Sequence, residues 1–147
     1  MNNESAITIE NTVNAPVEAV WNFWTKPEHI TKWNSASDDW HTPIAENDLR
    51  VGGKFLSRME ARDGSFGFDF AGVYTEVITN ELIDYTMSDD RQVRVAFETA
   101  GNSTKIVSTF EPESENSIEM QRDGWQAILD NFKKYAESNH KSNAVNQ

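Results

Sequence analysis

The stretch that decides the fold is the C-terminal segment 117–137, which reads SIEMQRDGWQAILDNFKKYAE. Ser117 can cap a helix here, Glu119 lies near its positive end, and Lys133 and Lys134 lie near its negative end. Apolar residues recur at helical spacing over roughly five turns, at Ile118, Trp125, Ile128, Leu129, Phe132 and Tyr135. The segment therefore predicts a long helix with one apolar face, which another hydrophobic layer must cover.

The N-terminal part of the chain predicts a strand followed by two short helices. Ile7, Ile9 and Val13 alternate with polar side chains, which is the two-residue period of a half-buried strand. Pro16 and Pro27 are each suited to the first turn of a helix, and apolar side chains follow both prolines at helical spacing. We expect both helices to be short and amphipathic.

The central part of the chain predicts a run of consecutive strands. We interpret the polar stretch 35–48 as loop with at most a short strand. Beyond it, the two-residue alternation returns in segments separated by turns such as Asp63-Gly64 and Gly101-Asn102. Strands joined by such short turns pair antiparallel as a meander. The whole order predicts an α+β fold with a curved antiparallel sheet of about six or seven strands against the long helix.

The length of the chain and the polar composition of its C-terminal end predict one domain. The chain has 147 residues, enough to bury ~70% of the surface that it would expose when unfolded. We expect this domain to span residues 6–137, after an N-terminal tail at 1–5. Polar residues dominate after Glu137, so residues 138–147 are expected to be a disordered tail.

Charge and residue usage exclude several classes of function. The 24 acidic residues outnumber the 13 Lys and Arg, for a net charge of −11, and such a surface repels nucleic acids and anionic membranes. The chain has no cysteine, which excludes disulfides, thiolate nucleophiles and Cys-based zinc sites. The N-terminus lacks the features of a signal peptide, and no stretch approaches the ~18 apolar residues of a membrane span. We expect a cytoplasmic protein without nucleic-acid or membrane partners.

Five short motifs occur in an order typical of one known family. They are APVEAVW at 15–21, KPEHI at 26–30 followed by Trp33, LRVGGKF at 49–55, GVYTEV at 72–77 and Gly124-Trp125. In these motifs the chain resembles the START-like (SRPBCC) superfamily, specifically the branch named after the activator of the heat-shock-protein-90 ATPase. The resemblance covers about residues 6–137. It implies the helix-grip fold, with a cavity between the concave sheet face and the C-terminal helix.

The sequence supplies apolar side chains for the walls of such a cavity. The candidate ligand-binding residues lie on the predicted inward face of the strands or on the apolar helix face: Phe55, Met59, Phe68, Phe70, Tyr85, Met87, Val95, Phe97, Trp125, Leu129 and Phe132. Ser57, Thr86, Ser108 and Tyr85 are candidates for the few polar groups that orient a ligand. Filling the core is the alternative role for each of these side chains.

A glycine interrupts the predicted C-terminal helix. Gly124 lowers helix stability by ~1 kcal/mol relative to alanine. Either close approach of the helix to the sheet or room for a ligand could explain its presence, and we favour close packing.

Motifs for catalysis or metal binding are missing from the sequence. His29, His41 and His140 do not have metal-ligand spacing, and the acidic pairs do not have EF-hand spacing. His41 follows Asp38 and Asp39 and could act as a general base at a cavity mouth, although a solvated loop is the favoured interpretation. We expect the other two histidines to contact solvent. The sequence contains neither a Gly-x-Ser-x-Gly elbow nor a phosphate loop, so we expect no cofactor and no metal.

Three functions follow from these observations. The first is binding of a small hydrophobic or aromatic molecule, lipid or polyketide-like, in the cavity. The second is an enzyme of the same fold, such as a cyclase, dehydratase or hydrolase; the lack of a catalytic motif favours binding over catalysis. The third, implied only by the resemblance, is a chaperone ATPase effector. It is disfavoured because the eukaryotic proteins of that name carry a further N-terminal domain that this sequence does not show. The sequence leaves a homodimer open.

Overall fold

The computed structural model describes residues 6–145, with side chains described as far as His140. In chain order the elements are β1 (Ile7–Val13), α1 (Val17–Thr25), α2 (Pro27–Trp33), β2 (Trp40–Asn47), β3 (Lys54–Ala61), β4 (Gly67–Ile78), β5 (Leu82–Met87), β6 (Gln92–Ala100), β7 (Ser103–Phe110) and α3 (Ile118–Val145). The predicted N-terminal tail at 1–5 lies outside the described residues.

The strands form one sheet in the order β1-β7-β6-β5-β4-β3-β2, and neighbouring strands pair antiparallel. Strands β2 to β7 follow one another as a meander, and β1 adds to the edge of β7 with Ile7 opposite Phe110. The helices α1 and α2 carry the chain from one edge strand, β1, to the other, β2. The sheet curls around α3, and the predicted α+β class with two short helices after the first strand is confirmed.

Strand β2 corrects the interpretation of 35–48 as mostly loop, because Trp40–Asn47 is an eight-residue strand. The register with β3 shifts between His41 and Ile44, around Pro43. This irregularity interrupts the alternation of apolar and polar residues, so the sequence gives no clear two-residue period here. Proline, which has no backbone N–H to donate, is tolerated because β2 is an edge strand.

Helix α3 begins as predicted, because the Ser117 hydroxyl accepts a hydrogen bond from the backbone N–H of Met120 at 3.1 Å. It continues to Val145, which corrects the prediction of a disordered tail for residues 138–145. The segment is polar, but it contains neither proline nor glycine. The backbone hydrogen-bond ladder therefore continues without a breaker.

The aromatic residues of the short helices meet α3 in a tightly packed cluster. Phe132 is fully buried, with its ring 4.8 Å from that of Trp24 and 4.9 Å from that of Trp33. The indole N–H of Trp33 donates a hydrogen bond to the Phe23 carbonyl at 2.8 Å, which ties α2 to α1. This cluster fills the space between the short helices and the C-terminal half of α3.

Polar contacts bind α3 to the edge of the sheet. Asn11 of β1 donates a hydrogen bond from Nδ2 to Oδ1 of Asp130 at 2.8 Å. The backbone N–H of Asn14 donates to the Glu137 carboxylate, also at 2.8 Å. Helix α3 makes its main approach to the sheet along β1, so the central strands are left without close contact from the helix backbone.

Gly124 corrects the expectation of close packing. A Cβ atom built on Gly124 would meet no heavy atom within 4 Å outside the neighbouring backbone of its own helix. At Gly72, in contrast, a Cβ would lie 2.6 Å from the Thr86 carbonyl oxygen and 2.8 Å from Cε2 of Phe55. Close approach thus explains Gly72 but not Gly124.

We expect Gly124→Ala to raise the free energy of unfolding by about 1 kcal/mol, because alanine costs less backbone entropy in a helix and its Cβ has open space. Urea denaturation followed by circular dichroism measures this change. A loss of stability would contradict the open environment of Gly124.

We expect Phe132→Ala to lower the free energy of unfolding by about 3–5 kcal/mol, because it leaves a void between two tryptophans. The matched control is Phe66→Ala, since Phe66 is 60% exposed and should change stability by about 1 kcal/mol or less. Equal effects in urea denaturation would contradict the assignment of Phe132 to the core.

Candidate ligand-binding cavity

A cavity of about 580 Å³ lies between the concave face of the sheet and the apolar face of α3. Inward-facing residues of β3 to β7 form its wall, and Trp125, Ile128 and Leu129 of α3 lie opposite them. Trp24 of α1 and Trp33 of α2 line a further side. The cavity lies where α3 is separated from the central strands of the sheet.

Most of the predicted apolar residues line this cavity. Nine of the eleven candidates do so: Phe55, Met59, Phe68, Phe70, Tyr85, Met87, Val95, Trp125 and Leu129. That these side chains contact a ligand stays a prediction.

Phe97 and Phe132 do not line the cavity. Phe97 faces inward from β6, but the rings of Trp21 and Trp24 cover it at 5.3 and 5.8 Å. Phe132 belongs to the aromatic cluster that also contains Trp33. Strand and helix periodicity predicts which face a residue occupies, but it does not predict which part of that face another element covers.

Several lining residues were missed by the sequence analysis. Tyr74, Ile83 and Ile128 share the inward face with the predicted residues, so the same periodicity could have identified them. Ile30 and Asn34, next to α2, also line the cavity. Only the tertiary packing of α2 against β2 brings these two residues to the site.

Three of the four polar candidates line the cavity, namely Ser57, Ser108 and Tyr85. Thr86 does not, which corrects its prediction as an orienting group. Its neighbours across the strands, Val73 and Gln92, are both exposed. Because side chains alternate along a strand, Thr86 points to the opposite face from Tyr85.

The two cavity tyrosines are neutral phenols. Burial raises the pKa of Tyr85 far above its ordinary value, and the neighbouring Tyr74 adds to the rise. Burial also raises the pKa of Tyr74, although its hydrogen bond to Oδ1 of Asn47, at 2.5 Å, opposes the rise. Both hydroxyls therefore serve as hydrogen-bonding groups and not as bases near neutral pH.

One mouth of the cavity is polar and ordered by side-chain hydrogen bonds. Arg91 lines it and pairs with Asp89, Nε to Oδ2, at 2.8 Å. Gln121 of α3 donates from Nε2 to the carbonyls of Glu113 and Asn116 at 3.0 and 2.9 Å, and accepts from the Glu113 N–H at 2.9 Å. The linker before α3 is thereby fixed to the helix beside the opening.

An aromatic rim composed of Trp40, Phe66 and Phe68 lies at the end of strands β2 and β4. The rings of Trp40 and Phe68 are 6.0 Å apart, and those of Phe66 and Phe68 are 6.2 Å apart. Phe68 is 40% exposed and also lines the cavity. The inward orientation expected for Phe68 is therefore only partial.

The histidines are placed away from the cavity lining. His41 lies 3.8 Å from the Glu60 carboxylate, Nε2 to Oε1, and does not line the cavity. His29 is half-buried, which corrects the expectation that it contacts only solvent: its Nδ1 lies 2.6 Å from the Tyr135 hydroxyl, and its ring packs edge-on against Phe23. Burial lowers the pKa of His29.

The described residues include neither a metal-binding cluster nor a helix able to span a membrane. They contain no group of three or more His, Asp or Glu side chains placed to hold a metal ion. Within the same part of the chain, no helix combines the length and apolarity needed to cross a bilayer.

A curled antiparallel sheet around one long helix, with an apolar cavity between them, defines a helix-grip protein of the START-like class. The chain belongs to the family described as Activator of Hsp90 ATPase homolog 1-like protein, whose model matches residues 14–137. The family predicted from the five sequence motifs is thus confirmed.

Solved structures of three bacterial proteins are similar over nearly the whole chain. The AHSA1-like protein from Aeromonas hydrophila is 43% identical, with 92% of this chain and 94% of that chain covered and a TM-score of 0.87. A protein from Cytophaga hutchinsonii is 52% identical, with 93% and 95% covered and a TM-score of 0.80. A protein from Nitrosomonas europaea is 17% identical, with 96% of this chain and 99% of that chain covered and a TM-score of 0.80. At this sequence identity the similarity shows the fold alone. Among curated proteins, none matches this chain.

We expect the tyrosines to keep their protons above the pH at which free tyrosine ionises, which is about 10. Because the folded-state pKa values of Tyr74 and Tyr85 are raised, their contribution to stability is fully present below pH ~10 and is lost as the pH rises further. Tyrosinate absorbance and urea denaturation measured together on alkaline titration test this. Ionisation of all tyrosines near pH 10 in the folded state, as in the urea-unfolded control, would contradict it.

Proposed function

We propose that the protein binds a small hydrophobic or aromatic molecule in the cavity between the sheet and α3. The observation that carries this proposal is the cavity itself, about 580 Å³ in volume and walled mainly by aromatic and aliphatic side chains. Pockets for small molecules are typically about 300–1,000 Å³, mostly apolar, with a few polar groups. This cavity has all three properties.

The packing elsewhere in the protein supports a functional reason for this space. Protein interiors are normally packed as densely as organic crystals, with few voids larger than a water molecule. The cluster around Phe132 follows that rule, since several of its ring centroids lie about 5 Å apart. Side chains of the same types line the neighbouring cavity but leave a large space between them. The open space therefore does not result from a shortage of aromatic and aliphatic side chains.

Charge at the cavity lining favours a neutral or cationic ligand over an anion. Asp69, Asp89 and Glu113 line the cavity together with Arg91, which is already paired with Asp89. The chain as a whole has a net charge of −11, and this field opposes the approach of anions.

We expect Val95→Phe to weaken binding of the neutral dye Nile red at least about tenfold, because Val95 is buried on the cavity wall and a larger ring there occupies ligand space. Fluorescence titration of the dye measures the affinity. The matched control is Val73→Phe, since Val73 is exposed on the outer face of the sheet.

The control should bind the dye like the parent protein. Native mass spectrometry of freshly purified protein adds a second measurement, in which a bound small molecule should accompany the parent and Val73→Phe but not Val95→Phe. Unchanged dye binding by a folded Val95→Phe variant would contradict the proposed function.

A further inference from the structure

The cavity wall contains three hydroxyl groups that have no hydrogen-bond partner among the residues that the structure describes. They belong to Ser57 on β3, Tyr85 on β5 and Ser108 on β7, and all three residues line the cavity. Ser57 is 5% exposed and Ser108 is 4% exposed. No hydrogen bond joins any of these hydroxyls to another group in the part of the chain that the structure describes. Because each of these oxygens keeps some accessible surface, their open hydrogen-bonding positions face the cavity.

The other buried hydroxyls of the described residues are all paired. The Thr25 hydroxyl donates to the Trp21 carbonyl at 2.7 Å, and the Thr104 hydroxyl donates to the Ala15 carbonyl at 2.9 Å. Thr42 likewise donates to a backbone carbonyl, at 2.5 Å. Buried polar groups in proteins are nearly always hydrogen-bonded, and an unmade bond is destabilising. The exceptions here are therefore confined to the cavity wall, where a ligand would be the missing partner.

The three hydroxyls are spread around the cavity. They lie on alternate strands, since the sheet order places β4 between β3 and β5 and places β6 between β5 and β7. Neighbouring strands are about 4.8 Å apart, so successive hydroxyl-bearing strands are separated by about 10 Å along the curled sheet. The backbone positions of the three residues are therefore distributed over the curved wall and are not gathered at one point.

This arrangement discriminates between chemical classes of ligand. A fatty acyl chain carries its oxygens at one end and would leave hydroxyls facing methylene groups. Its carboxylate would also meet a mouth where acidic side chains predominate. A ring compound with oxygens at separate positions can instead bond hydroxyls on different walls while its faces contact the surrounding aromatic rings.

We infer that the ligand is a neutral aromatic or polycyclic molecule bearing hydroxyl or carbonyl oxygens at several positions, held by the hydroxyls of Ser57, Tyr85 and Ser108. The inference rests on the proposed function and narrows its ligand from hydrophobic molecules in general to oxygenated ring compounds.

The test uses two probes of nearly equal size, 2,6-dihydroxynaphthalene and 2,6-dimethylnaphthalene, with dodecanoate as an acyl-chain probe. Isothermal titration calorimetry measures the affinity of each. The dihydroxy compound should bind at least about tenfold more tightly than the dimethyl compound and more tightly than dodecanoate.

The variants Ser57→Ala, Ser108→Ala and Tyr85→Phe each remove one hydroxyl. Each should weaken binding of the dihydroxy probe about three- to tenfold and leave the dimethyl probe unaffected. Without ligand, each variant should keep its melting temperature or gain up to about 4 °C, because it removes an unpartnered polar group. Thr86→Val is the matched control, since Thr86 lies next to Tyr85 on the outer face, and it should change neither affinity.

The outcomes separate this inference from the proposed function. Equal affinity for the two naphthalenes, preference for dodecanoate, or unchanged affinity in all three hydroxyl variants overturns the inference and leaves cavity binding standing. Binding of dodecanoate or Nile red but of neither naphthalene also overturns the inference and leaves cavity binding standing. If the folded protein binds none of these probes, the proposed function and the inference both fail.

Discussion

The stacking of Trp125 on Phe110 is the contact on which the interior depends. The two rings are nearly parallel, with centroids 3.8 Å apart and planes 10° apart. Phe110 ends β7 and is fully buried opposite Ile7 of β1, so the stack fixes α3 at the β1 edge of the sheet. The hydrogen bond from Asn11 to Asp130 fixes the helix farther along the same edge. A helix fixed at one edge of a curled sheet leaves the central strands uncovered, and that uncovered region is the cavity.

The interior therefore has two parts with different physical roles. In one part, the tryptophans of α1 and α2 surround Phe132 and Phe97, and the apolar surface buried there stabilises the fold. In the other part, apolar walls enclose space and carry hydroxyls that have no hydrogen-bond partner within the described part of the chain. The densely packed neighbouring core stabilises the fold, and the cavity hydroxyls keep accessible surface for a ligand.

Sequence patterns predicted the elements wherever a single period runs uninterrupted. The alternation in β3, for example, correctly predicted that Ser57 and Met59 face inward. The patterns failed where an element is irregular or polar: the register shift around Pro43 concealed β2, and the polar residues after Glu137 concealed the end of α3. They also placed Phe97 in the cavity, because periodicity contains no information about which helix covers an inward face.

The sequence by itself determined the fold class, the family and part of the cavity wall, because hydrophobic period, turn residues and motif order are local properties of the chain. Only the tertiary structure decided that the space beside Trp125 is open while that around Phe132 is filled. The difference depends on the distance between α3 and each strand, which long-range contacts set. The tertiary structure alone also shows that the Ser57 and Ser108 hydroxyls are unpartnered among the described residues, since a hydroxyl's partners are known only when every neighbouring strand and helix is in place.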